Sequence, residues 1–191
     1  MFMKRITALA VASVGAMFIA GCALSPPSPA PAPPVPVAKL KDGDLPIPAN
    51  YKSWSSSMRN VQRPDVKQIR EIFVNDIGAK TQPGGAFANG TVSVMEIHAA
   101  KLAADGTPEK AADGSLIKDK LVKVFVMGKG AGWGETAPAG LKNGDWVYSA
   151  YLADGKVAPD PIAACRGCHL PLGDAKDYFH RYDEYLAKKK S

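Results

Sequence analysis

Three features predict an α+β fold, mostly antiparallel β-sheet with a few packed helices. Residues 91–99, 121–127 and 145–152 are short runs rich in β-branched and aromatic side chains, the composition of strands. Gly84-Gly85 and Asn89-Gly90 are turn signals ahead of the first of these runs. Helical spacing is confined to short flanking segments, so helices pack on a sheet of four or five strands rather than forming a bundle.

The chain has 191 residues, enough for one domain and an extension. The extension is N-terminal. Lys4 and Arg5 precede an apolar stretch, residues 6–20, that is too short and too rich in Ala and Gly to span a membrane comfortably. It fits a secretory leader, with Ile19-Ala20-Gly21-Cys22 at its end. That ending resembles the lipobox of bacterial lipoproteins. The resemblance implies cleavage after residue 21, lipid on the Cys22 sulfur and, with Ala23 next, anchoring of a periplasmic protein to the outer rather than the inner membrane.

Residues 22–48 read as a linker. Seven prolines lie between Pro26 and Pro36, a composition that favours extended polyproline II and buries no core. Little fixed structure is expected before about Ile47. The folded domain is expected over 49–187, with 188–191 a basic tail. Net charge is +6, falling by two to +4 if Lys4 and Arg5 leave with the leader. No basic run is long enough to argue for nucleic-acid binding, although mild basicity suits an anionic membrane surface or an acidic redox partner protein.

Within the domain, residues 51–58 read as a short docking helix. Pro64-Asp65 opens a helix or helix–strand segment over 66–75, where Ile69, Ile72 and Phe73 share the i, i+3, i+4 spacing of one helical face. The 91–99 strand places Val92, Val94, Glu96 and His98 on one face and Ser93, Met95 and Ile97 on the other. Residues 103–119 contain Ala-Ala-Asp-Gly twice; they read as a polar loop between paired strands, not as a structural repeat. Asp174 is expected to cap a final helix running to Leu186, with Tyr178, Tyr182 and Tyr185 on one face.

The chemistry concentrates in Cys165-Arg166-Gly167-Cys168-His169. Two thiols separated by two residues can each form a thioether to a haem vinyl group, and the following histidine then ligates the iron; this is the c-type attachment run. Cys165 and Cys168 are thus the candidate attachment residues for haem c, and His169 is the candidate axial ligand. Pro161 and Pro171 frame the motif as a loop. A thioredoxin-like redox pair would need a βαβ setting, which is missing. A zinc site would need two more ligands, and His98 and His180 are the only other histidines. Of three cysteines, one takes lipid and two take haem, which leaves no stray thiol in an oxidising compartment.

The order of motifs resembles the cytochrome P460 family. Tyr51-Lys52-Ser53-Trp54 is similar to its Tyr-x-x-Trp opening, and Arg70-Glu71-Ile72-Phe73-Val74-Asn75 to its Arg-x-Ile-Tyr-Val-Asn segment. Phe87-Ala88-Asn89-Gly90-Thr91, continuing to Met95-Glu96-Ile97, resembles Phe-x-Asp-Gly-Thr followed by Lys-Glu-Leu. Asp145-Trp146-Val147-Tyr148, the haem motif and Asp177-Tyr178-Phe179 complete the series. The resemblance implies a small, mostly β haem protein, commonly a homodimer. In one branch a lysine cross-linked to the haem supports hydroxylamine oxidation; in the other, the cytochromes c′-β, a tight pocket binds nitric oxide and similar gases.

Met95 stands where that lysine is expected, and Lys80, in a turn-rich segment nearby, does not replace it. A thioether cannot form the amine-to-porphyrin bond. The resemblance therefore implies a five-coordinate haem binding nitric oxide or related small nitrogen ligands. Two alternatives remain: an electron-transfer cytochrome, with Met95 as the sixth ligand, and an oxidoreductase acting on hydroxylamine or nitric oxide. On the distal side Phe87 is the candidate steric wall, or else core packing. Arg70 is the candidate hydrogen-bond donor to a polar ligand, or else a solvated helix residue. Glu96 is expected to pair with a lysine, His98 to sit at the surface or behind the ligands rather than on the iron, and His180 to be exposed on the final helix.

Overall fold

The computed structural model describes residues 38–188. The leader, Cys22 and the proline-rich stretch lie outside them. Five strands, β1 (Ser56–Arg63), β2 (Gln68–Val74), β3 (Val92–Ala100), β4 (Lys118–Lys129) and β5 (Trp146–Leu152), form one antiparallel sheet in chain order. Two short helices follow, α1 (Ile162–His169) and α2 (Tyr182–Lys188). The expected α+β class is observed.

Register assigns the side chains to two faces. Arg70, Ile72 and Val74 of β2 stand opposite Ile97, Met95 and Ser93 of β3; Met95 and Ser93 stand opposite Phe125 and Met127 of β4; and Met127 stands opposite Tyr148 of β5. This face meets a core of Met58, Val61, Phe87, Trp146, Phe179, Tyr182, Tyr185 and Leu186. The other face buries Phe73, Val94, Val124, Val126 and Val147 beneath Leu45 and Tyr51. Both sides of β2 are therefore covered.

That double burial explains one departure from expectation. Residues 66–75 are not helical: a single 3₁₀ turn at Pro64–Val66 leads directly into β2. A strand covered on both faces reads as a near-continuous apolar run. The helical spacing of Ile69, Ile72 and Phe73 follows from that run, since Ile69 and Phe73 face one way and Ile72 the other. Residues 51–58 likewise hold only one 3₁₀ turn, Tyr51–Ser53, before β1 begins. β1 is polar, sits at the sheet edge and carries an irregularity between Met58 and Val61 with Asn60 at φ 54°, so its sequence shows no clean alternation.

Three further expectations change. Residues 38–47 belong to the folded unit: Leu45 is buried, with Leu40 and Ile47 packed beside it. The two Ala-Ala-Asp-Gly segments do form a repeated structure. In each, the aspartate carboxylate accepts a hydrogen bond from the backbone N–H two residues on, at 2.9 Å for Asp105 and Asp113 alike, and the glycine adopts positive φ. The expected final helix is broken. A 3₁₀ turn at Asp174–Lys176 is followed by positive φ at Asp177, Tyr178 and Arg181, and α2 begins only at Tyr182.

Candidate functional site

The attachment motif lies on α1 rather than in a loop. Pro161 stands just before the first turn, where its missing N–H costs nothing. Spacings of three and four put Cys165, Cys168 and His169 on one side of the helix. They open onto a cavity of about 470 Å³, with α1 as one wall and the sheet as another. The sheet contributes Ile72, Met95, Ile97, Phe125 and Met127, an apolar surface.

His169 is fixed in orientation. Its Nδ1 lies 2.6 Å from the Tyr178 carbonyl oxygen, a geometry in which Nδ1–H donates and Nε2 keeps its lone pair. Burial is the main cause that lowers its pKa to about 4, with the neighbouring His180 acting in the same direction against the Tyr178 carbonyl. The imidazole is therefore neutral at neutral pH, the state that binds a metal. The rings of Tyr148 and His180 pack against it with centroids at 5.1 and 4.7 Å. Cys165 and Cys168 carry free thiols; burial pushes the Cys165 thiol up, while Cys168 is exposed with His180 Nε2 at 3.4 Å.

The broken segment before α2 serves this geometry. The buried Asp177 carboxylate accepts hydrogen bonds from Lys129 Nζ at 2.8 Å, Phe87 N at 2.7 Å and Trp146 Nε1 at 3.3 Å. It anchors the irregular backbone that turns the Tyr178 carbonyl toward His169, which a continuous helix would have used internally.

The cavity has one basic side, formed by Arg63, Arg70 and Arg181. Arg63 is paired with Asp65, and Arg181 with Glu184. Arg70 Nε is buried without a partner, and burial lowers the guanidinium pKa. The Tyr148 hydroxyl, on the same cavity, is also buried without a partner. Buried donors normally find acceptors, so two idle donors on a cavity with one apolar wall and one basic side fit a group with polar edges. Apolar walls, two thiols, a free imidazole nitrogen and unpaired donors together suit haem. Among the described residues no group of three or more His, Cys, Asp or Glu could hold a metal ion.

Of the anticipated distal residues, Met95 and Arg70 line the cavity. Phe87 does not. It is 2 % exposed within an aromatic cluster, 4.6 Å from the Phe179 ring and 5.8 Å from Trp146 between centroids. Phe87 belongs to the loop before β3 and packs into the core with Trp146, Tyr182 and Tyr185. Phe125, directly across from Met95, does line the cavity, as do Tyr148 and Phe179. Alternation within 121–127 groups Phe125 with Met127, but only strand register places them opposite Met95. Arg63, Arg181 and His180 also line the cavity; His180 is exposed as expected, but it lies in a turn rather than on a helix and its Nε2 reaches Cys168. Arg70 is on a strand, not a helix. Glu96 and His98 occupy the far face, where Glu96 pairs with Lys52 at 3.0 Å and with His98 at 2.9 Å. Among the described residues, no lysine lines the cavity.

Residues 48–181 match the family model for cytochrome P460. No curated protein matches the chain. The family model spans β1 to the haem motif and the Tyr178 carbonyl that orients His169, over most of the chain, and this chain belongs to the cytochrome P460 family, whose members are haem proteins.

Proposed function

We propose that the protein carries haem c, bound through thioethers to Cys165 and Cys168 with His169 as axial ligand, and that it binds nitric oxide or a related small nitrogen ligand on the sheet side of the cavity. Bound there, haem supplies an iron site able to take a diatomic ligand. The residues of the chain do the rest. Tyr178 holds the His169 tautomer, while Met95, Phe125 and Ile72 restrict the space. Arg70, with its unpartnered Nε, supplies a hydrogen-bond donor. The observation that carries this reading is the apolar sheet wall with Met95 at its centre and, among the described residues, no lysine, which favours ligand binding over cross-linked hydroxylamine oxidation.

A second reading is favoured by one observation: two thioethers, Met95 and Met127, line the cavity. Either sulfur on the iron would give a low-spin electron carrier. The ferrous optical spectrum, recorded with and without nitric oxide, tests both. A high-spin spectrum that changes with nitric oxide supports the first; a sharp low-spin spectrum indifferent to it supports the second. Covalent attachment is tested by pyridine haemochrome, which should fail in the Cys165→Ser/Cys168→Ser protein. We further propose lipidation at Cys22, anchoring on the periplasmic side of the outer membrane, a homodimeric state and exchange of electrons with a redox partner protein. Loss of membrane association in Cys22→Ser would support the anchor.

A further inference from the structure

Arg166, the first residue between the two cysteines, is 1 % exposed and ranks among the largest fully buried side chains. All five of its guanidinium donors have acceptors. Nε and Nη2 donate to the Asp42 carboxylate at 2.7 and 2.9 Å. Nη2 also donates to the Trp146 carbonyl at 3.0 Å, and Nη1 to the Leu141 carbonyl and Asn143 Oδ1 at 3.3 and 3.4 Å. Asn143 Nδ2 returns a hydrogen bond to the Arg166 carbonyl at 3.1 Å. The guanidinium carbon lies 5.3 Å from the centroid of the Tyr148 ring, which itself packs on His169.

Asp42 belongs to a strap laid along the outer edge of β5 at Tyr148, beside the 156–158 segment that pairs with residues 150–152. The Asp42 carboxylate also accepts from Tyr148 N at 3.1 Å, Gly43 N donates to the Tyr148 carbonyl at 2.8 Å, and Leu45 N donates to Ser149 Oγ at 3.1 Å. The Tyr151 hydroxyl donates to the Leu45 carbonyl. The strap thus covers the β5 edge at Tyr148 and Ser149 and grips the helix that carries both thiols. It lies outside residues 48–181, the segment matched to the family.

We infer that Asp42 and Arg166 are positioning residues for the axial histidine: the strap ahead of the family-matched segment clamps α1 to β5 and thereby sets how His169 presents Nε2 to the iron. The inference rests on haem being bound at Cys165, Cys168 and His169. A bidentate arginine–carboxylate pair fixes orientation as well as distance, and lysine cannot reproduce it. His169 lies three residues along the same helix from Arg166. Release of the clamp frees α1 to rock on the sheet while the Tyr178 carbonyl still holds Nδ1, so the imidazole tilts rather than leaves.

The test is the iron–histidine stretching band in the resonance Raman spectrum of the full-length ferrous protein. It is recorded after photolysis of the carbon monoxide adduct, so that the iron is five-coordinate whatever its resting sixth ligand. Asp42→Asn and Arg166→Lys should each broaden the band and move it to lower frequency. Asp154→Asn, which breaks an exposed pair with Lys156, should leave it unmoved. A general loss of stability would not shift this band in molecules that remain folded. Haem-loaded Asp42→Asn and Arg166→Lys proteins with the wild-type band would overturn the positioning role. Wild-type protein without covalent haem would instead overturn the haem reading beneath it.

Discussion

Replacing Asp177 by asparagine keeps the size of the side chain and removes its charge. The partner left behind is Lys129, whose side chain is 13 % exposed and whose ammonium lies 2.8 Å from both carboxylate oxygens. Breaking a buried pair by removing one member costs about 3–5 kcal/mol, because the remaining charge stays desolvated. The amide oxygen can still accept from Phe87 N or Trp146 Nε1, so the lower half of that range, about 3 kcal/mol, is expected. With a urea m-value of about 2 kcal/mol/M for a small domain, the midpoint should fall by about 1.5 M. The same change loosens the backbone at Tyr178, so the His169 hydrogen bond should weaken as well. Equilibrium urea unfolding, followed by tryptophan fluorescence and by the Soret band, reads both effects. Adding Lys129→Met to Asp177→Asn should recover part of the loss, since no charge then remains buried. A midpoint within about 0.3 M of wild type, a difference of about 0.6 kcal/mol at that slope, would refute the reasoning.

Phe87 and Phe125 should separate cleanly. Phe87→Ala leaves a void in the aromatic core and should cost about 3–5 kcal/mol with little change in ligand association. Phe125→Ala should alter nitric oxide association measured by stopped flow, at a smaller cost in stability. Glu96 governs part of the acid stability. Burial alone would raise its pKa, but hydrogen bonds from Tyr51, His98 and Lys52 outweigh that and lower it to about 2. A depressed carboxylate contributes stability that is fully present above its ordinary value, about 4.3, and is lost as pH falls toward about 2. Thermal midpoints should therefore drop across that window in wild type and change less in Glu96→Gln.

Composition and local pattern carried much of this molecule. The cysteine spacing singled out three side chains that open onto one cavity, and the alternation of 91–99 put Met95 on the opposite face from Glu96 and His98, as the register confirms. What local pattern could not carry was long-range. β2 resembled a helix because burial on both faces erased its two-residue period. Phe87 resembled a pocket wall because nothing nearby revealed the aromatic cluster 92 residues further on at Phe179. The Tyr178 carbonyl depends on positive φ at three non-glycine positions, and the sequence there favours a helix. Asp42 resembled part of a linker because its partner, Arg166, is 124 residues away.

A haem on Cys165, Cys168 and His169, as proposed, would keep its other face open to a small nitrogen ligand. The most direct measurement is the ferrous optical spectrum of the full-length protein before and after anaerobic addition of nitric oxide. A broad high-spin spectrum that converts stoichiometrically on addition is the predicted result. A sharp low-spin spectrum that nitric oxide leaves unchanged would contradict it.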